Sequence, residues 1–167
     1  MFTLSNDPNA SKADQYATLV EQARALVESE RDLTANAANF AALVYHSLDR
    51  LNWAGFYFFD GTELVVGPFQ GKPACVRIAL GKGVCGTAAQ TRETQVVRDV
   101  HDFPGHIACD AASESEIVVP LVAGDGTLIG VWDVDSPVAA RFDEEDRQGM
   151  EALCRVFVES AWQKARG

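Results

Sequence analysis

The sequence predicts an α+β fold in which N- and C-terminal helices pack on a central, mostly antiparallel β-sheet. Three observations support this prediction. Apolar residues recur at helical spacing near both ends of the chain, apolar and aromatic runs typical of strands fill the middle, and turn residues join these runs in pairs. Two helices, a sheet and a closing helix together make an α+β sandwich.

Two helices precede the first predicted strand. The first spans about residues 12–29, where one stripe of apolar side chains keeps helical spacing: Tyr16, Leu19, Val20, Ala23, Leu26 and Val27. The second runs from residue 33 or 34 to residue 48 and repeats the pattern at Phe40, Leu43, Val44 and Leu48. Each helix therefore has an apolar stripe for the core.

Two β-hairpins form the centre of the predicted sheet. The segment "WAGFYFFDGTELVVGPF" contains two strand-like runs around the turn pair Asp60–Gly61. Further along, "SEIVVPLV" is joined to "LIGVWDVDS" by the turn "AGDGT". The second hairpin is almost continuously apolar, which is expected when both faces of a sheet are covered.

Shorter elements are predicted between the hairpins. They are a strand in "GKPACVRIAL", a helical turn in "GKGVCGTAAQTRE" and a strand in "TQVVRDV", followed by a loop over residues 101–115. A closing helix opens at Phe142–Asp143, and its apolar stripe consists of Met150, Leu153, Cys154, Phe157, Val158 and Ala161.

Composition predicts a single domain over residues 1–167, with a flexible segment at residues 1–10. A chain of 167 residues that is 47% apolar can bury a core without disulfides. The net charge of −10 repels phosphate groups, so neither nucleic acid nor a membrane is expected as a partner. The N-terminus lacks the features of a signal peptide, and no run of about 18 apolar residues occurs, so a cytoplasmic location is expected.

Three of the four cysteines are functional candidates. Cys154 lies on the apolar stripe of the closing helix and is predicted to be a core residue. Cys75, Cys85 and Cys109 lie near predicted strand ends or in loops with glycine and proline, where reactive groups concentrate. In a cytoplasmic chain, thiols in such places are expected to be reduced and reactive rather than joined in a structural disulfide framework.

Metal binding and hydrolysis are the other roles open to these thiols. A structural zinc site normally has a closely spaced Cys-x-x-Cys pair, which this sequence lacks, so no metal site and no cofactor are predicted. His106 lies three residues before Cys109, but a nucleophile and its base usually come from separate elements. Redox chemistry explains the presence of several thiols better than metal binding or hydrolysis does. One cysteine can be oxidised to a sulfenic acid, which then condenses with a second thiol to form a disulfide.

Five segments carry a resemblance to one enzyme family: "NWAGFYFF", "GPFQGKPACVRIALGKGVCGTAA", "RDVHDFPGHIACDAASESEIVVPL", "GVWDVDSP" and "RFDEEDR". Over about residues 40–160 the sequence resembles the free methionine-(R)-sulfoxide reductase family, whose members are single GAF domains. The resemblance implies a GAF-like fold and an oxidoreductase, active in oxidative stress, that reduces free L-methionine (R)-sulfoxide to L-methionine. It also implies thioredoxin as the reductant and a homodimer.

Sulfoxide reduction requires an acid beside the oxygen, because the sulfur becomes a good electrophile once that oxygen is protonated. The candidates are Glu116, Asp133 and Asp135. Asp133 and Asp135 are two residues apart in a predicted strand, so their side chains point to the same face. Carboxylates crowded together cannot all ionise cheaply, and one is expected to stay protonated. Trp53 and Tyr57, on the first strand, are expected to line the pocket around the sulfoxide methyl group.

The loop thiols supply the expected redox steps. Cys109 is the expected nucleophile because it lies closest in sequence to Glu116, and Cys75 or Cys85 would then form the disulfide that thioredoxin reduces. Cys85 is also an alternative nucleophile, since it precedes a predicted helix whose N-terminal dipole would lower its pKa. The alternative function is a non-catalytic GAF-type sensor of a small ligand, which the three loop cysteines do not favour.

Overall fold

The fold is built on one antiparallel sheet with helices on both sides. The computed structural model describes residues 3–4, 7, 9–105 and 111–163. The helices are α1 (Lys12–Val27), α2 (Leu33–Ser47), α3 (Gly83–Thr91) and α4 (Glu144–Val156), with a 3₁₀ turn at Val100–Asp102 and a π-helical end at Phe157–Trp162. The strands are β1 (Trp53–Phe59), β2 (Glu63–Gly71), β3 (Arg77–Ala79), β4 (Gln95–Val97), β5 (Ser115–Val122) and β6 (Leu128–Ser136).

The six strands lie in the order β3-β2-β1-β6-β5-β4, and every neighbouring pair is antiparallel. The predicted α+β class is therefore confirmed, and so are both predicted hairpins, β1–β2 and β5–β6. Strands β1 and β6 join the two hairpins at the centre of the sheet. Within the described part of the chain, no helix has the length and apolar character needed to cross a membrane.

The two faces of the sheet are covered by different elements. Helices α1, α2 and α4 cover one face, where the rings of Phe40, Phe56, Trp132 and Phe157 pack against one another. The shorter helix α3 packs on β5 and β6 from the opposite side. Because both faces are buried, β6 is apolar along most of its length, as the sequence predicted. The face under α3 also carries carboxylates.

Some predicted boundaries differ from the structure. The strand predicted in "GKPACVRIAL" is confined to Arg77–Ala79, and residues 72–76 form no strand. Gly71 ends β2 at a φ of 122°, and Pro73 has no N–H to donate to a neighbouring strand. Helix α1 ends at Val27, two residues earlier than predicted. The closing helix begins as predicted but changes to π-helix at Phe157.

A buried ion network joins the first and last helices. Asp146 is completely buried and accepts hydrogen bonds from Tyr16 Oη at 2.9 Å, Arg141 Nη1 at 3.1 Å and Lys12 Nζ at 2.7 Å. The helices approach closely because Gly149 faces the Tyr16 ring, where a Cβ atom would overlap it. Burial and the neighbouring Asp146 carboxylate raise the pKa of Tyr16, so its hydroxyl stays a donor. Asp146 thereby satisfies three donors at this contact.

Replacing Asp146 by alanine is expected to lower the free energy of unfolding by about 3–5 kcal/mol, because the buried Arg141 loses its buried carboxylate and keeps only the exposed Asp49 as an ionic partner. Urea denaturation followed by circular dichroism measures the change. Glu145→Ala is the matched control, since Glu145 is the preceding residue of the same helix and is exposed. Equal stabilities of the two variants would contradict this role of Asp146.

Candidate active site

The pairing of β1, β6 and β5 brings five of the predicted site residues to one face of the sheet: Trp53, Tyr57, Glu116, Asp133 and Asp135. Trp53 lies opposite Asp135, and Asp135 lies opposite Glu116 on the other neighbouring strand. Asp133 follows on the same face and is paired with Gly55, where a Cβ atom would overlap Phe69. The predicted common orientation of Asp133 and Asp135 is confirmed. Glu116 joins them through the register of β5 on β6.

Aromatic side chains and carboxylates line a small cavity on this face. Its lining residues are Trp53, Tyr57, Lys72, Pro73, Ala74, Asp133 and Asp135. The Trp53 and Tyr57 rings stack with their centroids 5.8 Å apart, and Trp53 Nε1 donates a hydrogen bond to the Lys72 carbonyl at 3.1 Å. This bond fixes the segment 72–74 over the rings. The cavity measures about 10 Å³, the space of one water molecule.

A thiol and two carboxyl groups form a buried cluster beside this cavity. Cys85, on the first turn of α3, lies with its Sγ 3.9 Å from Glu116 Oε1, and the donor atoms of Cys85, Glu116 and Asp133 are all within 4.8 Å of one another. Their exposed fractions are only 5%, 5% and 6%. Asp133 Oδ1 is buried and accepts no hydrogen bond from the described residues. The cluster therefore contains an acceptor that remains available.

Burial raises the pKa values of all three groups and so favours their neutral forms. Burial, and then the charge of Asp135, raises the pKa of Glu116, while burial and the charge of Glu116 raise the pKa of Asp133. A proton shared by these carboxyl groups is therefore retained at a pH where an exposed carboxyl would lose it. Burial and the two carboxylates also raise the pKa of the Cys85 thiol. The expectation that a helix dipole activates Cys85 is wrong, because burial beside two acids outweighs the dipole.

One of the other two candidate cysteines, Cys75, lies at the border of this site. Cys75 is half-buried and directly follows Ala74 of the cavity wall. Cys109 and His106 lie outside the described residues, and hydrogen bonds hold the described flanks on either side of them. On these flanks Val100 N donates to the Glu114 carbonyl at 3.0 Å and Asn52 Nδ2 donates to Ser113 Oγ at 3.0 Å. Cys154 is buried in the helical core of α4, as predicted.

Comparison with known proteins places the chain in a family. The family model of the GAF domain matches residues 14–158. A free methionine-R-sulfoxide reductase from Escherichia coli is 52% identical over 143 residues, which cover 86% of this chain and 86% of that enzyme. The chain belongs to the free methionine-R-sulfoxide reductase family of GAF domains. The predicted family and the predicted GAF-like fold are thereby confirmed.

Solved structures of related GAF domains agree with this assignment. A Burkholderia vietnamiensis protein assigned as a GAF sensor is 91% identical, with a TM-score of 0.93 over 95% of this chain and 100% of that chain. The free methionine-R-sulfoxide reductase of Neisseria meningitidis, solved in complex with its substrate, is 41% identical. Its TM-score is 0.93, and the match covers 99% of this chain and 98% of that chain.

Sequence reasoning missed two parts of this GAF site. The first is Lys72, a cation on the cavity wall. It was not predicted as a site residue because the surrounding segment has the composition of a strand. The available signal was Gly71 followed by Lys72 and Pro73, because a glycine and a nearby proline commonly end a strand. The second was the inclusion of Cys85 in the acid cluster. Its partners lie on other elements, so no local spacing in the sequence indicates this contact.

The acid cluster predicts a specific pH dependence of stability. Because the folded-state pKa values of Glu116 and Asp133 are raised, the folded protein holds protons that the unfolded chain releases above about pH 4. The free energy of unfolding should therefore fall as the pH rises through the raised pKa values. Asp60 and Asp143 have pKa values lowered to about 2, so they make the free energy of unfolding rise with pH. Their effect is confined to pH values below about 4.

Urea denaturation between about pH 5 and pH 8 measures this effect, since Asp and Glu with ordinary pKa values no longer titrate there. The double variant Glu116→Gln/Asp133→Asn should show a flatter pH dependence than the wild type. Glu145→Gln, which removes an exposed acid, should keep the wild-type slope. An unchanged slope in the double variant would contradict the proton-holding role of the cluster.

Proposed function

We propose that this protein reduces free L-methionine (R)-sulfoxide to L-methionine. The observation that carries the proposal is a buried, proton-holding carboxyl cluster at the wall of an aromatic pocket. Asp133 belongs to both the cluster and the pocket, and its Oδ1 lacks a partner among the described residues. The sequence identity to the free methionine-R-sulfoxide reductases of Escherichia coli and Neisseria meningitidis supports free methionine sulfoxide as the substrate. A carboxyl group whose pKa is raised by burial keeps its proton to higher pH and, while protonated, can donate a hydrogen bond to the sulfoxide oxygen.

The thiol chemistry begins at Cys109. In the proposed first step its sulfur attacks the sulfoxide sulfur while Glu116 and Asp133 hold and protonate the oxygen. The oxygen ends on the Cys109 sulfur as a sulfenic acid, and methionine leaves with the two electrons that the thiol has lost. A second thiol then attacks the sulfenic acid, a disulfide forms and water is released. A dithiol of thioredoxin reduces the disulfide and restores both thiols.

Burial favours Cys75 over Cys85 as the second thiol. Cys75 is half-buried at the border of the pocket, so a disulfide at this position is within reach of an external protein. Cys85 is buried under α3 and touches Glu116, and its thiol pKa is raised, which makes it a slow attacking group. In this proposal Cys85 completes the acid cluster instead of carrying electrons to thioredoxin.

Charged residues at the pocket suit the ends of a free amino acid. Lys72 supplies a cation for the substrate carboxylate, and the half-buried Asp135 supplies an anion for its ammonium group. Trp53 and Tyr57 offer aromatic faces to the sulfur and its methyl group. A cavity of about 10 Å³ is too small for methionine sulfoxide, so in this proposal the cavity widens when substrate binds.

A coupled assay tests the proposed reaction. The reduced protein is mixed with racemic free methionine sulfoxide, thioredoxin, thioredoxin reductase and NADPH, and the loss of NADPH is recorded. Consumption should stop when half of the racemate has been reduced. The absence of consumption, or consumption beyond that half, would overturn the proposed specificity. Thioredoxin dependence is tested separately by replacing thioredoxin and its reductase with dithiothreitol.

A ligand sensor without catalytic activity is the second candidate. It is favoured by the 91% identity to a Burkholderia vietnamiensis protein assigned as a GAF sensor. A sensor would bind methionine sulfoxide without releasing methionine, so the same assay separates the two functions. The cytoplasmic location and the homodimer stay predictions, which cell fractionation and sedimentation equilibrium test.

A further inference from the structure

We infer that Cys85, Glu116 and Asp133 form a binding site for a thiophilic divalent cation, above all Zn²⁺, which blocks the site when it binds. The inhibitory consequence rests on the proposed function, whereas binding of the cation does not. The three side chains come from α3, β5 and β6, which explains why the sequence has no closely spaced ligand motif. This site differs from the structural zinc site that the sequence analysis rejected, since it would be occupied only when the cation is supplied.

The geometry of the cluster is close to that of a zinc site. With Zn–S of about 2.3 Å and Zn–O of about 2.0–2.2 Å, the ligand atoms of a tetrahedral Zn²⁺ lie about 3.3–3.7 Å apart. Cys85 Sγ and Glu116 Oε1 are 3.9 Å apart, and all three donor atoms lie within 4.8 Å of one another. Small side-chain rotations are therefore sufficient to bring the three donors to one ion.

The chemistry of the cluster also points to a cation. Glu116, Asp133 and Cys85 are all at least nine-tenths buried, and Asp133 Oδ1 has no hydrogen-bond donor among the described residues. Asp135 is paired with Glu116 on the neighbouring strand, so a third carboxyl group lies next to the cluster. A divalent cation would replace the protons and neutralise most of the charge of one thiolate and two carboxylates.

The donor set selects among cations. A thiolate with two carboxylates suits Zn²⁺ and Co²⁺, whereas Mg²⁺ and Ca²⁺ require more ligands and bind oxygen. Three protein ligands leave a fourth position open to water. A bound ion would occupy the lone pairs of Glu116 and Asp133 and displace the proton that the proposed reaction needs. Zn²⁺ is therefore expected to inhibit, and Mg²⁺ is not.

Titration of the reduced protein with Co²⁺ tests the site directly. Binding should produce a thiolate-to-cobalt absorption band in the near ultraviolet, with one ion per chain. The band should persist in Cys75→Ser, Cys109→Ser and Cys154→Ala and disappear in Cys85→Ser. In Asp133→Asn, Co²⁺ affinity should fall by more than the roughly 10- to 100-fold that loss of an outer-shell partner costs. Zn²⁺ should displace Co²⁺ and remove the band.

The outcomes separate this inference from the proposed function. A band that survives in Cys85→Ser, or unchanged Co²⁺ affinity in Asp133→Asn, would overturn the site. Circular dichroism of each variant establishes that it is folded before it is titrated. Inhibition is measured as methionine released in one turnover without thioredoxin, so that an effect of Zn²⁺ on thioredoxin cannot contribute. A wild-type Co²⁺ band without any methionine release would support the cation site and overturn the reductase proposal alone.

Discussion

Cys109→Ser is expected to abolish methionine release, including release in the first turnover. The serine hydroxyl is a much weaker nucleophile than a thiolate and cannot accept the oxygen as a sulfenic acid. A fall in rate of about 10³-fold or more is expected, as when other enzymes lose a nucleophile. The measurement mixes the fully reduced variant with methionine (R)-sulfoxide and follows methionine by chromatography. Cys154→Ala is the matched control, since Cys154 is buried in the helical core away from the site.

The other two cysteines should give different results in the same experiment. Cys75→Ser should release close to one methionine per chain and then stop, even when thioredoxin is present. In this variant the sulfenic acid formed on Cys109 has no accessible second thiol with which to form a disulfide. Cys85→Ser should still catalyse repeated turnovers with thioredoxin. Its rate should be lower than that of the wild type, because the substitution changes the acid cluster of which Cys85 is a member. Full turnover of Cys109→Ser together with an inactive Cys85→Ser would contradict the assigned nucleophile.

Asp133→Asn should lower the rate of methionine release by about 10²- to 10⁴-fold, the usual contribution of a general acid. An amide has nearly the shape of the carboxyl group but cannot transfer its proton to the sulfoxide oxygen. The effect should appear in kcat more than in KM, because protonation of the oxygen is completed in the transition state. Glu145→Gln, at an exposed acid on α4, serves as the control and should keep the wild-type rate.

The pH profile gives a second readout of the same acid. Since burial and the neighbouring carboxylate raise the pKa of Asp133, its proton is retained above the pH at which an ordinary aspartate ionises. The wild-type rate should fall as the pH rises through this raised pKa. In Asp133→Asn this alkaline decline should be weaker. A variant with wild-type kcat and an unchanged profile would show that Asp133 is not the proton donor.

Local sequence patterns determined most of the secondary structure. The turn at Asp60 illustrates this, because its side chain accepts hydrogen bonds from the N–H groups of Thr62 and Glu63 within the same turn. Likewise, Asp133 and Asp135 share a face because side chains alternate along any strand. Segment 72–76 was predicted less well, since its apolar residues resemble a strand while Gly71 and Pro73 prevent one.

Only the tertiary structure decided how the candidate site is assembled. Glu116 reaches the two aspartates because β5 pairs with β6 in a register that places Glu116 opposite Asp135. Cys85 joins the cluster because α3 packs over these strands, and its burial raises the thiol pKa that the helix dipole alone would lower. The sequence by itself determined the strands, the turns and the face of Asp133. The pairing register and the burial decided which groups meet and which keep their protons, because both depend on contacts between residues far apart in the chain.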